Sequence, residues 1–130
     1  MNDTIWNMLR MFVLLIFMLF VSPVYAGVYE DAIKNHDKVA IYFYTPSCPA
    51  CKSFNPYWQK IGKLHSSRYK MLKLNAGMPY GSRLSNQFDL KYVPSVVLVD
   101  SYKMKKMVFD YFCITDMACL DEGFKNFQKL

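Results

Sequence analysis

Apolar residues along this chain fall into short blocks, and their spacing changes from block to block in a way that predicts alternating helices and strands. Val28, Ala32 and Ile33 suit a short amphipathic helix over residues 28–36. The run Val39-Ala40-Ile41-Tyr42-Phe43-Tyr44, opened by Lys38, is apolar at both parities, as expected of a central strand covered on both faces. Thr45-Pro46-Ser47 breaks it. Pro49 then stands where a helix accepts proline, at its first position, because that N–H has no intrahelical partner. Phe54, Tyr57, Trp58, Ile61 and Leu64 carry the helix on at spacings of three and four, and Pro56 inside it predicts a kink.

Residues 69–74 read as a second strand, 76–80 as a Gly/Pro loop and 82–88 as a short helix. Val96-Val97-Leu98-Val99 is another fully apolar strand, closed by Asp100. Residues 101–106 predict a basic hairpin turn, 107–112 a last strand and 120–130 a terminal helix. Strands alternating with helices argue for an α/β fold: a parallel centre ending in an antiparallel hairpin, hence a mixed sheet flanked by helices. There is no repeat and no Gly/Ser linker, so a single domain is expected.

The N-terminus follows a different pattern. A polar stretch ends in Arg10, an apolar run fills residues 11–21, Ser22 and Pro23 interrupt it, and Val24-Tyr25-Ala26 resembles an A-x-A site. Charge, short apolar core and small-residue site in that order are the layout of a secretory signal peptide. This predicts a signal over residues 1–26, cleaved after Ala26, and a domain over 27–130. The run is about half of the roughly 20 residues that span a bilayer. The alternative is an uncleaved anchor that borrows Ile5, Trp6 and Met8, so a membrane partner is expected only in that case. Either way the domain is expected outside the cytoplasm.

Charge adds little to this picture. The net charge is +6, but the densest cluster is Lys103, Lys105 and Lys106. Nucleic-acid binding needs a basic patch, so it is not expected. A solvated basic face, with modest attraction to acidic partners, is the ordinary reading.

Cysteine changes more. All 4 cysteines follow Ala26, and an even number suits disulfides in an oxidising compartment. Cys48 and Cys51 lie at the start of a helix directly after a buried strand. There the free N–H groups of Ala50 and Cys51 and the positive end of the helix dipole favour a thiolate on Cys48. The thiolate is the nucleophile, so a lowered pKa speeds attack. Cys51, one turn deeper on the same face, is placed to resolve a mixed disulfide. Cys48 is therefore the expected attacking sulfur and Cys51 the resolving one, together a redox-active disulfide. A purely structural bond would constrain little over so short a loop. A zinc site would need a second pair of suitable spacing, and neither Cys113 with Cys119 nor His36 and His65 supplies one, so no metal and no cofactor are expected.

Tyr42-Phe43-Tyr44-Thr45-Pro46-Ser47-Cys48-Pro49-Ala50-Cys51-Lys52, with Pro56 beyond it, Lys73-Leu74-Asn75 and then Val93-Pro94-Ser95, resembles the thioredoxin superfamily over nearly all of residues 28–130. The resemblance implies a thioredoxin fold. It also implies a cis bond at Pro94, with Pro94 packed against the sulfurs and the Val93 backbone pairing with a substrate's extended segment. Such pairing is tolerant of sequence because main-chain bonds carry it. Two positions depart from the family: Tyr42 stands where a buried carboxylate is frequent, and Ser47 where a tryptophan is usual. Proton transfer at Cys51 would then fall to water or to Lys73, which reads otherwise as a plain strand lysine.

Cys113 and Cys119, joining the last strand to the last helix, are expected to form a structural disulfide; a second redox centre and two free thiols are the competing readings. Tyr57 and Trp58 border the motif or pack in the core. The expected function is a thiol–disulfide oxidoreductase exchanging disulfides with exported cysteine-containing proteins in a periplasm, served by a redox partner in the envelope. Pro49 and Val93 resemble the disulfide-introducing DsbA branch, while the length is similar to short periplasmic thioredoxin-like proteins, including those encoded with conjugative transfer systems. The alternative is a thioredoxin-fold adaptor or assembly module of an envelope secretion or conjugation apparatus.

Overall fold

A computed structural model describes residues 2–19 and 27–130. The expected cleavage site at residues 22–26 lies outside the described residues. Helix α1 (Asn2–Leu19) takes in the N-terminal apolar run as far as Leu19. No helix among the described residues is long and apolar enough to cross a membrane.

The domain runs α2 (Val28–Asn35), β1 (Lys38–Tyr44), α3 (Pro49–His65), β2 (Lys70–Asn75), α4 (Pro79–Gln87), β3 (Ser95–Asp100), β4 (Lys105–Val108), α5 (Tyr111–Ile114) and α6 (Met117–Lys129). The four strands form one mixed sheet in the order β2-β1-β3-β4. β1 pairs parallel with β2, placing Tyr42 opposite Lys73, and antiparallel with β3, placing Tyr42 opposite Val96. β4 returns antiparallel beside β3. The centre is thus not parallel throughout, as the alternation of elements suggests. An unbroken apolar strand reports burial on both faces, and a central antiparallel strand has that burial too.

Side-chain parity sorts the core into two layers, because successive strand residues point to opposite faces. Ala40, Tyr42, Val96 and Leu98 meet Phe54, Trp58 and Ile61 of α3 and Leu120, Phe124 and Phe127 of α6. Val39, Ile41, Phe43, Val97 and Val99 meet α2 and α4 through Tyr29, Ala32, Leu84 and Phe88. The glycine at Gly81 lets α4 lie on the end of β2, where a Cβ would run into the Asn75 carbonyl.

Several element faces and ends differ from expectation. α2 buries Tyr29 and Ala32, with Tyr29 edge-on to Phe88 at 5.5 Å, and leaves Val28 exposed. α3 turns Cys51, Phe54, Trp58, Ile61 and His65 inward, so Leu64 faces solvent; His65 is held instead by Asp121 at 2.7 Å and by stacking on Phe124. α4 starts at Pro79, which again sits at the helix start. The last strand ends at Val108 rather than continuing to residue 112. Asp110 caps a new helical turn there, its side chain accepting from the Cys113 N–H at 2.8 Å. Asp116 does the same for α6, accepting from Ala118 N–H at 2.9 Å, which starts that helix at Met117 rather than Leu120.

Candidate active site

β1 delivers the chain to a tight turn in which the Cys48 N–H donates to the Thr45 carbonyl at 3.3 Å. Cys48 is the N-cap of α3, with extended backbone, and Pro49 opens the helix. Of the two N–H groups expected to face the sulfur, that of Cys51 does so, donating to Cys48 Sγ at 3.1 Å. No acidic residue stands in the first turn of α3 to oppose a negative sulfur. The two cysteines are disulfide-bonded, with Cα atoms 5.2 Å apart. Their exposure is unequal: Cys48 is half-buried, whereas Cys51 is 1 % exposed. An incoming sulfur can therefore reach Cys48 but not Cys51.

The Val93–Pro94 bond is cis, and the Val93 carbonyl oxygen lies 3.8 Å from Cys48 Sγ. Pro94 is buried and Val93 half-buried, and this loop lies against the helix tip beside the half-buried Cys48 sulfur. Beneath it lies Tyr42, fully buried, its hydroxyl 3.1 Å from the Cys51 carbonyl oxygen and 3.0 Å from Asn55 Oδ1. The single hydroxyl proton serves one of these acceptors at a time. Burial, and next the neighbouring Tyr44, push the Tyr42 phenol up to about 12. At neutral pH Tyr42 is thus a donor and not a base. Lys73 is exposed on β2 with its ammonium 4.6 Å from the Tyr44 ring centre, a cation–π contact.

A thioredoxin family model matches residues 21–111, well over half of the chain. The chain belongs to the thioredoxin family. This thioredoxin-family chain is 30% identical over 74 residues to a protein disulfide-isomerase of Ricinus communis, covering 55% of the chain and 15% of that protein. The chain therefore spans a small part of the curated relatives it matches. Among solved structures it is similar to mitochondrial thioredoxin 3 from Saccharomyces cerevisiae, with TM-score 0.63 and 19% identity over 75% of this chain and 86% of that one. The first thioredoxin domain of mouse protein disulfide-isomerase A4 aligns with TM-score 0.54 and 25% identity over 63% of this chain and 58% of that one. The fold is the thioredoxin fold, a mixed four-strand sheet flanked by helices. Its cysteine pair is in the setting of a thiol–disulfide oxidoreductase.

Beside the cysteine pair of this thioredoxin-family domain is a groove of about 280 Å³, lined by Ala50, Ser53, Phe54 and Tyr57 of α3, by Pro94, and by Tyr111, Ile114 and Thr115. Tyr57 thus belongs to the rim, while Trp58 packs in the core against Tyr42 at 5.4 Å. The last three lining residues come from α5 and its C-cap, a region the apolar pattern places in a strand. The signal that could have found them is Asp110, a good N-cap residue three positions before Cys113. Cys113 and Cys119 form a second disulfide, from α5 to α6, with Cα atoms 5.2 Å apart. Among the described residues no cluster of three or more metal-ligating side chains occurs. His65 is committed to Asp121, at the far end of α3 from the cysteine pair.

Proposed function

We propose that this chain is a thiol–disulfide oxidoreductase acting on exported, cysteine-containing proteins, with Cys48 attacking and Cys51 resolving. The observation that carries the reading is the unequal pair at one helix tip: a reachable Cys48 facing the Val93 carbonyl, above a buried Cys51. In the reduced protein the Cys51 N–H that now contacts Cys48 Sγ stabilises a thiolate there. That thiolate attacks a substrate disulfide, forms a mixed disulfide and expels one substrate thiolate. Cys51, losing its proton to solvent, then attacks Cys48 Sγ and releases the second substrate thiol. The substrate gains two electrons and the pair becomes the observed disulfide. Run in reverse, the same steps place a disulfide in a dithiol substrate, and the redox partner sets the direction. The Val93 backbone holds the extended segment of the substrate by main-chain pairing, with Pro94 packed beside the sulfurs.

The N-terminal layout supports an oxidising destination outside the cytoplasm, a periplasm, with residues 1–26 as the signal and 27–130 as the working domain. The partners are exported cysteine-containing proteins and an envelope dithiol or disulfide carrier. No cofactor takes part, because sulfur carries both electrons.

The test is trapping. The full chain with Cys51→Ser, expressed in cells, is expected to accumulate mixed disulfides visible on non-reducing gels and absent from the Cys48→Ser, Cys51→Ser double variant. An empty trap under oxidising conditions overturns the reading. For the destination, chain recovered from a periplasmic fraction is expected to begin at Gly27; recovery only in the cytosol, beginning at Met1, overturns that part.

A further inference from the structure

We propose that the Cys113–Cys119 disulfide is a positioning device for substrate choice: it fixes α5 as the wall of a groove that receives one apolar side chain beside the substrate's reacting cysteine. The inference rests on the oxidoreductase reading above and extends it to what the site selects.

α5 has 4 residues, far fewer than the roughly 12–15 at which an isolated helix becomes even marginal in water. It therefore stands by its ties. Asp110 caps it, Ile114 is fully buried beneath it, and the disulfide joins it to α6. α6 is itself anchored, with Leu120 and Phe124 fully buried and Phe127 nearly so. The disulfide thus transmits the firmness of the core to a turn otherwise held by its cap, by buried Ile114 and by the Tyr92–Tyr111 contact.

What that turn holds up is the groove. Tyr111 and Ile114 face Phe54 and Tyr57 across it, with Pro94 between. Tyr92 braces Tyr111 edge-on at 5.9 Å. Among the described residues no charged side chain lines the groove, so a charged occupant would lose its water without a partner, and an apolar one would not. Pro94 adjoins Val93, whose carbonyl oxygen is 3.8 Å from Cys48 Sγ, so the occupant belongs to the same extended segment as the reacting cysteine. Cys113 and Cys119 do not line the groove. They line a separate cleft with Met107, Asp110 and Glu122. Their influence on the substrate therefore passes through α5.

The experiment compares two substrates: a peptide disulfide with phenylalanine next to its cysteine, and glutathione disulfide, which has no apolar side chain beside its cysteine. In Cys113→Ser, Cys119→Ser, KM for the phenylalanine peptide is expected to rise about tenfold with kcat unchanged, and neither constant to move for glutathione disulfide. Tyr111→Ser, at a half-exposed wall position that leaves the core intact, is expected to reproduce the rise for the peptide. Equal effects of the double variant on both substrates, or a peptide KM unmoved by Tyr111→Ser, overturn the proposal. Absence of turnover on both substrates in the wild-type protein is a different result and overturns the oxidoreductase reading itself.

Discussion

Two disulfides in one small domain sit in contrasting surroundings. Cys48–Cys51 rests on the end of the central strand, with one sulfur open, the other sealed, a backbone N–H aimed at the open sulfur and the Val93 carbonyl facing it. Cys113–Cys119 joins a one-turn helix to the start of α6 and lines a separate cleft with Met107, Asp110 and Glu122. The bond is the same, but the environment decides which sulfur exchanges. Reactivity requires an accessible sulfur, a stabilised thiolate and a docking edge together. The first site shows a reachable sulfur with a backbone N–H aimed at it, and Val93 and Pro94 are its proposed docking edge.

The contrast is broken most directly by removing the attacking sulfur of the first site and, separately, both sulfurs of the second. Cys48→Ser is expected to lower disulfide exchange by on the order of a thousandfold or more, since it deletes the nucleophile itself. The double variant Cys113→Ser, Cys119→Ser is expected to retain turnover of glutathione disulfide, measured by coupled thiol release. If Cys48→Ser retained exchange while the double variant lost it, the two sites would have to be reassigned.

Stability should show the opposite ranking. In the chain-entropy view, a disulfide closing the short loop from Cys113 to Cys119 contributes roughly 2 kcal/mol. In a domain of this size that corresponds to a fall in Tm on the order of 10 °C for Cys113→Ser, Cys119→Ser. A scan showing no shift would mean that α5 is held entirely by other contacts. Asp110→Ala tests the cap alone and is expected to cost about 1 kcal/mol by guanidinium unfolding. Because the cap and the disulfide secure the same turn, the two losses should not add, and a double-mutant cycle measures that coupling.

The first site was far more legible in the sequence than the second, for a physical reason. Strand, break, cysteine, proline and helix are all local signals, and each requires the residue types found at residues 39–58. Cys48 as N-cap with Pro49 as first helical residue follows from spacing alone. The C-terminal region depends on competition between a weak strand pattern and a single capping side chain. Met107, Phe109 and Phe112 suggest an extended strand, yet Asp110 ends it by offering its carboxylate to the Cys113 N–H. Tyr111, Ile114 and Thr115 thereby become groove wall rather than strand. Leu64 and His65 show a similar limit. Helical spacing admits either as the inward residue, and the choice falls to His65 because Asp121, 56 positions away in sequence, meets it. Strand direction was illegible as well: β1 and β3 both have unbroken apolar centres, residues 39–44 and 96–99, and only the path of the chain makes them antiparallel.

The smallest expected effect concerns Tyr42, the residue that replaces the family's buried carboxylate beneath the cysteine pair. Its phenol is raised from 10.0 to about 12 by burial first and by Tyr44 second. A group whose folded pKa exceeds its unfolded value contributes stability in full below the unfolded pKa and loses it as pH rises through the folded one. Stability should therefore begin to fall near pH 10 and keep falling toward pH 12. Tyr42→Phe should make that part of the alkaline limb less steep, with Tyr29, Tyr69 and Tyr80, also raised by burial, carrying the remainder. Tyr42→Phe should also cost about 1 kcal/mol at neutral pH, through loss of the hydroxyl's bond to the Cys51 carbonyl or Asn55. Between pH 6 and 9, however, Tyr42 does not change charge, so the pH dependence of exchange there should come from the sulfur chemistry of Cys48 and Cys51 and not from Tyr42. The pH–rate profile of Tyr42→Phe should overlay that of the wild type apart from a uniform scale factor. A displaced inflection would mean that the hydroxyl tunes the sulfur chemistry through Cys51, and the replacement of the carboxylate would then be a functional change at the first site rather than a structural one.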